Sequence, residues 1–410
     1  MGAMAPRRYA RPVVVGPLIL ATLLNGCVAL PRRAAVPTAA ATLAIPAGCP
    51  DARFWPDLGL DRLYQDAARS DDRERKILAA AGRDPEHLPP ADYLAISGGG
   101  DNGAFGAGVL VGWTASGTRP SFKVVTGVSA GALIAPFAFL GPDYDPVLQQ
   151  VSQSISPQDV FHLRPVAAVL GGPAFADDAP LAALIERHVT TQVIDAVAQE
   201  YDRGRVLLIG TADLDSGQPV VWNMGAIAQC RSPAAASLFR QVLLASASVP
   251  GVFPPVMVDV AVNGTPYQEM HADGSVVSQL FLFPASFMGV LTQGRTVNAR
   301  DRHVYAIRNG RIEPTQDTVP RRMTSVAHRS LFMLTDAQGI NDLYRLQTVA
   351  RQDNERFSVA YIAPDFTYPH QGFFASDYLQ HLFAYAYQRA RSGEAWKTSL
   401  PGAGNESGPR

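Results

Sequence analysis

The chain has 410 residues, with 35 basic against 36 acidic side chains and a net charge of −1, a balance that gives no basis for a nucleic-acid partner held on a basic surface. Charged residues make up 17% and hydrophobic residues 47%, so a large core can be buried and disorder over most of the chain is excluded. Three cysteines, none in CxxC spacing, exclude a disulfide scaffold and offer no zinc site. The first 50 residues contain no Asp or Glu, and Arg7, Arg8 and Arg11 precede an apolar run, Val13–Leu24, that contains Pro17. A membrane span needs about 20 residues, so this basic stretch and short apolar run predict an export signal over residues 1–26. Ala/Pro-rich residues 27–50 predict a tether. Residues 51–91 predict a helical lead-in, with helix over Asp71–Ala81 broken by Pro85, Pro89 and Pro90.

A catalytic domain is expected over 92–395, followed by a disordered Gly/Pro/Ser-rich tail over 396–410. Strands are expected at Tyr93–Ile96, Phe122–Thr126, Val206–Ile209, Val220–Asn223, His303–Arg308 and Ser358–Ile362. Helices are expected at Ala104–Ser116, Ala132–Leu140 (with Pro136 inside), Leu181–His188, Pro233–Ala245, Ser330–Ala350 and Asp377–Arg391. Strands alternating with helices predict a mostly parallel sheet covered on both faces.

Two strand–loop–helix units carry the chemistry. The first is Ser97-Gly98-Gly99-Gly100-Asp101-Asn102-Gly103. Consecutive glycines let backbone N–H groups crowd an anion, and the following helix adds the positive end of its dipole. Gly98, Gly100 and Gly103 also satisfy GxGxxG, but no Asp or Glu lies between Asp101 and Asp143 to bind a ribose, which argues against a dinucleotide site. The second unit, Gly127-Val128-Ser129-Ala130-Gly131, is GxSxG on a strand-to-helix turn. Such an elbow presents Ser Oγ to a substrate and aims the next N–H at a developing oxyanion. Asp273-Gly274 is by itself only a turn signal. Asp213 and Asp215 lack the length and terminal Glu of a calcium loop and read as a turn. His271 reads as a bystander two residues before Asp273.

Leu24-Asn25-Gly26-Cys27 resembles a bacterial lipobox. The resemblance implies cleavage before Cys27, its acylation and, with Val28 rather than Asp next, outer-membrane sorting toward the periplasm or cell surface. Cys49 and Cys230 are then left as a bridge or as two free thiols.

Gly98–Gly100 with Gly103, Gly127–Gly131 about 30 residues later, Ala245–Pro255 and Asp273-Gly274, in that order, resemble the patatin-like phospholipase family. The resemblance covers about residues 92–280 and implies a three-layer α/β/α sandwich with a central mostly parallel sheet. It implies a lipid acyl hydrolase of phospholipase A or lysophospholipase type, with Ser129 as nucleophile and Asp273 as its base. Gly98, Gly99, Gly100, Asn102, Gly103 and the N–H of Ala130 would form the oxyanion hole, and Gly127 and Gly131 the elbow. Asn102 departs from the Arg or Lys that the family often has there. No cofactor or metal is implied; the partners implied are a lipid substrate and a membrane surface reached through the lipid anchor. Two other readings stay open: an α/β-hydrolase triad completed by His303, His328, His370 or His381, and an inactive lipoprotein on the same scaffold.

Overall fold

In the computed structural model the described residues are 31–56, 61–165, 172–282, 300–314, 316 and 318–401, with the side chains of 324 and 328 left aside. The export signal expected over residues 1–26 and Cys27 lie outside them.

Ile45–Pro46 (β1) and Arg53–Phe54 (β2) are short edge strands, followed by the helix Asp61–Ala80 (α1). Ala91–Ile96 (β3), Gly103–Ala115 (α2), Phe122–Val128 (β4) and Ala130–Leu140 (α3) make the two strand–loop–helix units. Asp145–Ser154 (α4) and Pro157–Val160 (α5) lead to a small ribbon of His162–Leu163 (β5) and Ala176–Asp177 (β6). Ala179–His188 (α6) and Thr191–Asp202 (α7) return to Val206–Asp213 (β7) and Gln218–Asn223 (β8). Met224–Gln229 (α8), Ala235–Ser246 (α9), Val256–Val262 (β9) and Thr265–Asp273 (β10) follow. Arg302–Arg308 (β11), Met323–Gln352 (α10), Arg356–Tyr361 (β12) and Ser376–Arg391 (α11) complete the domain.

The parallel centre of the sheet runs β12-β11-β3-β4-β7. Its strands are apolar runs because both faces are covered. Leu94 and Ile96 point into one core with α2, α3 and α11, whereas Tyr93 and Ala95 point into a second core with α1 and α10. This period of two makes the three layers. Beyond β7 the sheet turns antiparallel through β10, β9 and β1, with β8 and β2 beside it.

Three features differ from the sequence expectations. The β9–β10 hairpin was not among them, although Asn263-Gly264, both at positive φ, is the two-residue hairpin signal. The tether is docked rather than free from residue 31 onward. Arg32 pairs with Asp215 at 2.6 Å, β1 pairs with β9, and Cys49 is bridged to Cys230. The tail stays packed as far as Leu400: Lys397 exchanges backbone hydrogen bonds with Val359 on β12, and Leu400 is buried. Composition hid both segments, because edge pairing needs backbone groups rather than apolar side chains.

Candidate active site

Ser129 sits between β4 and α3 with φ 55° and ψ −126°, a strained conformation for a residue with a Cβ. The turn closes only because its flanks are bare. A Cβ at Gly127 would lie 2.5 Å from the Gly131 carbonyl oxygen, and one at Gly131 would lie 2.3 Å from that of Ile96. The Ser129 N–H donates to Ser246 Oγ at 3.0 Å, and Ser246 Oγ donates to the Gly210 carbonyl at 2.7 Å. Ser246, at the end of α9, therefore ties the elbow to β7.

Sheet register brings the second group to it. β7 pairs in parallel with β4 up to Gly210 opposite Val128, then antiparallel with β10 at Thr211 opposite Asp273. β8 occupies the other edge of β7, so the ends of β4 and β10 abut along the same edge. Ser129 and Asp273, 144 positions apart in sequence, thereby meet: Ser129 Oγ donates to Asp273 Oδ2 at 2.6 Å. Asp273 Oδ1 accepts from the Ser275 N–H at 2.7 Å, and its own N–H donates to the Ser248 carbonyl at 2.9 Å. Burial raises the Asp273 pKa to about 6, against the opposing pull of the hydrogen bonds from Ser129 and Ser275.

The glycine cradle lies against this pair. A Cβ at Gly98 would sit 3.1 Å from Ser129 Cβ, and one at Gly99 only 2.0 Å from the Asn309 carbonyl oxygen. Gly100, at φ 58°, opens onto free space. Gly103 and Ala130, the first residues of α2 and α3, face each other, with a Cβ at Gly103 3.1 Å from that of Ala130. Two helix N-termini thus converge on one spot, where their dipoles favour negative charge. The Gly98 N–H differs from its expected role: it donates to the Gln279 carbonyl at 3.1 Å, which leaves Gly99, Gly100 and Ala130 as the better-placed donors. Asn102 accepts the Tyr378 hydroxyl at 2.6 Å, and Asp101 accepts from the Phe374 N–H and bonds to His370.

Asn309, at the end of β11, was not singled out from sequence. Its N–H donates to Ser97 Oγ, its Nδ2 to the Ser97 carbonyl, and its Oδ1 accepts from the Gly106 N–H, at 2.8–2.9 Å. It braces the cradle from beneath. Ser97-Gly98-Gly99-Gly100 marks the loop, but a lone Asn about 200 positions later carries no sequence signal.

Residues 94–286 match the family model described as patatin-like phospholipase. The chain carries a patatin-like phospholipase domain. That assignment supports, in general terms, hydrolysis of lipid esters. The patatin-like match holds the cradle, Ser129, Ser246 and Asp273, whereas Asn309, His370 and Tyr378 lie beyond it. Among solved structures, VipD from Legionella pneumophila is similar at 10% identity and a TM-score of 0.35, covering 76% of this chain and 68% of that one. No curated protein sequence matches.

The described histidines weighed as a third catalytic member point elsewhere. His271 is fully buried between Glu269 and Thr211 and edge-on to Trp222. Arg53 and His271 hold the Glu269 carboxyl at about 2 against the cost of its burial. His303 bonds to Ser358, and His381 to the Asp377 carbonyl; the side chain of His328 lies outside the described residues. Asp213 accepts from the Asp215 N–H and Ser216 Oγ, closing the β7–β8 turn. Among the described residues no group of three or more His, Cys, Asp or Glu is placed to hold a metal. A cavity of about 690 Å³ lies on the α10 side of the sheet, lined by Val128, Gly210, Gly274, Val276, Phe281 and Leu346 among others.

Proposed function

We propose that the protein is a serine lipid acyl hydrolase of phospholipase A or lysophospholipase type, working through a Ser129–Asp273 dyad. The 2.6 Å contact between Ser129 Oγ and a buried Asp273 carries this reading. Ser129 Oγ attacks the ester carbonyl carbon while Asp273 takes its proton directly. The carbonyl oxygen becomes an oxyanion facing the N–H groups of Gly99, Gly100 and Ala130, and one such donor is typically worth about 3–4 kcal/mol. Collapse breaks the bond to the lipid alcohol, which leaves with the proton held by Asp273, and Ser129 carries the acyl group. Water then gives a proton to Asp273 as it attacks the acyl-enzyme; collapse releases the fatty acid, and the departing Ser129 Oγ takes that proton back from Asp273. An ordinary aspartate is too weak a base for this work, and a value near 6 places it close to neutral pH. The cavity, within the usual range for ligand pockets, is lined by the residues next to Ser129 and Asp273 and suits an acyl chain.

The same reading places the protein outside the cytoplasm, acylated at Cys27 and held at an outer membrane facing the periplasm or cell surface. The Cys49–Cys230 bridge supports an oxidising compartment. Release of fatty acid from defined phospholipids and lysophospholipids by wild type, Ser129→Ala and Asp273→Asn tests the activity. Both variants should be inactive, and full activity in both overturns the dyad. Fatty-acid labelling that persists in Cys27→Ala overturns the anchor.

A further inference from the structure

α10 is a 30-residue helix whose carboxy-terminal half packs on the sheet through Leu343, Leu346 and Ala350. Asp336, paired with Arg308, and Gly339, against Gln279, lie level with the cradle, since Gln279 also receives the Gly98 N–H. The helix therefore continues outward past the strand ends that hold the dyad, by about 20 Å from Asp336 to Met323 at 1.5 Å per residue. No described residue of this outward part is buried before Gly339. Its apolar side chains are among the most exposed of the described residues: Met323 at 86%, Leu334 at 70%, Met333 at 58% and Val326 at 51%.

Charge and geometry say what this segment meets. Residues 318–335 contain Arg321, Arg322 and Arg329 and no Asp or Glu. Leu331, Phe332, Met333 and Leu334, all exposed, follow one another in steps of about 100° and so point to all sides of the helix. A protein groove covers one stripe of a helix, whereas a fluid apolar phase covers all sides. The rim of the site matches. Val276 lies three residues beyond Asp273, and Val252 lies in the segment whose Ser248 carbonyl binds the Asp273 N–H. Both are exposed, as is Phe175, whose N–H donates to the Gly251 carbonyl.

We propose that the outward half of α10 docks the protein on a phosphate-bearing lipid bilayer, its apolar side chains entering the acyl region and Arg321 and Arg322 meeting headgroup phosphates. This deepens the lipid-hydrolase reading and rests on it for its purpose, since docking would deliver the ester to the strand ends. The test uses full-length chain carrying Cys27→Ser, so that Leu334→Cys offers one free thiol for an environment-sensitive fluorophore. Glu394→Cys, beyond the far end of α11, is the control. On phosphatidylglycerol/phosphatidylcholine vesicles the label at 334 should shift to the blue and the label at 394 should not. In otherwise unsubstituted chain, Met333→Ser/Leu334→Ser should hydrolyse vesicle phospholipid at least tenfold more slowly than wild type, with turnover of a monomeric short-chain ester within twofold. A silent label at 334, or undiminished vesicle hydrolysis by the double variant, overturns the proposal. So does a monomeric double variant with unchanged vesicle hydrolysis beside a dimeric wild type, which would assign the segment to a second copy. The label is also read in Ser129→Ala. A shift there, with no lipid hydrolysis by wild type, upholds docking while the hydrolase reading falls.

Discussion

Asp273→Asn should make the protein more stable at alkaline pH while abolishing its activity. The native Asp273 pKa of about 6 stands above the ordinary value of 3.8, so the folded state binds this proton more tightly than the unfolded chain does. The stability linked to it is complete below the unfolded value and disappears as pH rises through the folded one. At about 1.4 kcal/mol per unit, the ionised carboxylate disfavours the native state by about 3 kcal/mol above neutrality. Asparagine keeps the size, leaves an oxygen for the Ser275 N–H, offers an amide to Ser129 Oγ and does not titrate. Urea melts of wild type and variant, disulfide intact, at about pH 4 and about pH 8 measure the difference; groups that titrate alike in both proteins cancel. The variant should gain about 2.4 kcal/mol over wild type between the two conditions, and wild-type kcat/KM should rise through a pKa near 6. A stability difference that is flat with pH would refute the assignment of a buried, desolvated base.

Ser246→Ala strands the Ser129 N–H and the Gly210 carbonyl; at about 1–3 kcal/mol for each unmet buried group, urea melts should show a loss of about 2 kcal/mol or more, and kcat should fall while KM changes little. Asn309→Ala removes two side-chain hydrogen bonds under the cradle, so kcat on lipid ester should drop about tenfold or more, as expected when oxyanion donors lose position. Reduction of Cys49–Cys230, which closes a loop spanning 181 positions, should cost up to about 5 kcal/mol in the chain-entropy account, read as a lower Tm in reductant and in Cys49→Ser/Cys230→Ser. The hydrogen bond to Asp101 raises the His370 pKa, so its contribution to stability is present below the ordinary histidine range and lost as pH rises through the folded value. Wild type should therefore lose more stability than His370→Gln between about pH 6 and about pH 8.

The legible parts of this protein were those in which local sequence and local structure coincide. GxSxG lay between an apolar strand and an apolar helix, and the strand became β4 and the helix α3 with boundaries moved by one or two residues. The three glycines after β3 marked the cradle because only bare backbone fits against Asn309 and Ser129. The alternation of apolar strands and helices implied the parallel centre. What escaped was set by pairing rather than by composition. β1 and the Val359–Lys397 bridge join backbone to backbone across more than 35 residues, and neither Pro46 nor Lys397 announces it. Asp273 drew meaning in the sequence only from its resemblance to a known motif; in the fold it draws meaning from register. Opposite Thr211 on β7 it meets Ser129, because β4 ends one residue earlier on the same edge. A one-residue slip of β10 would turn its side chains to the other face of the sheet. The Arg53–Glu269–His271 cluster, buried two and four residues before Asp273 on that strand, pins the register, since any slip would strand its charges. On this argument the buried ion pair, which touches neither Ser129 nor the cradle, sets where the Asp273 carboxylate stands.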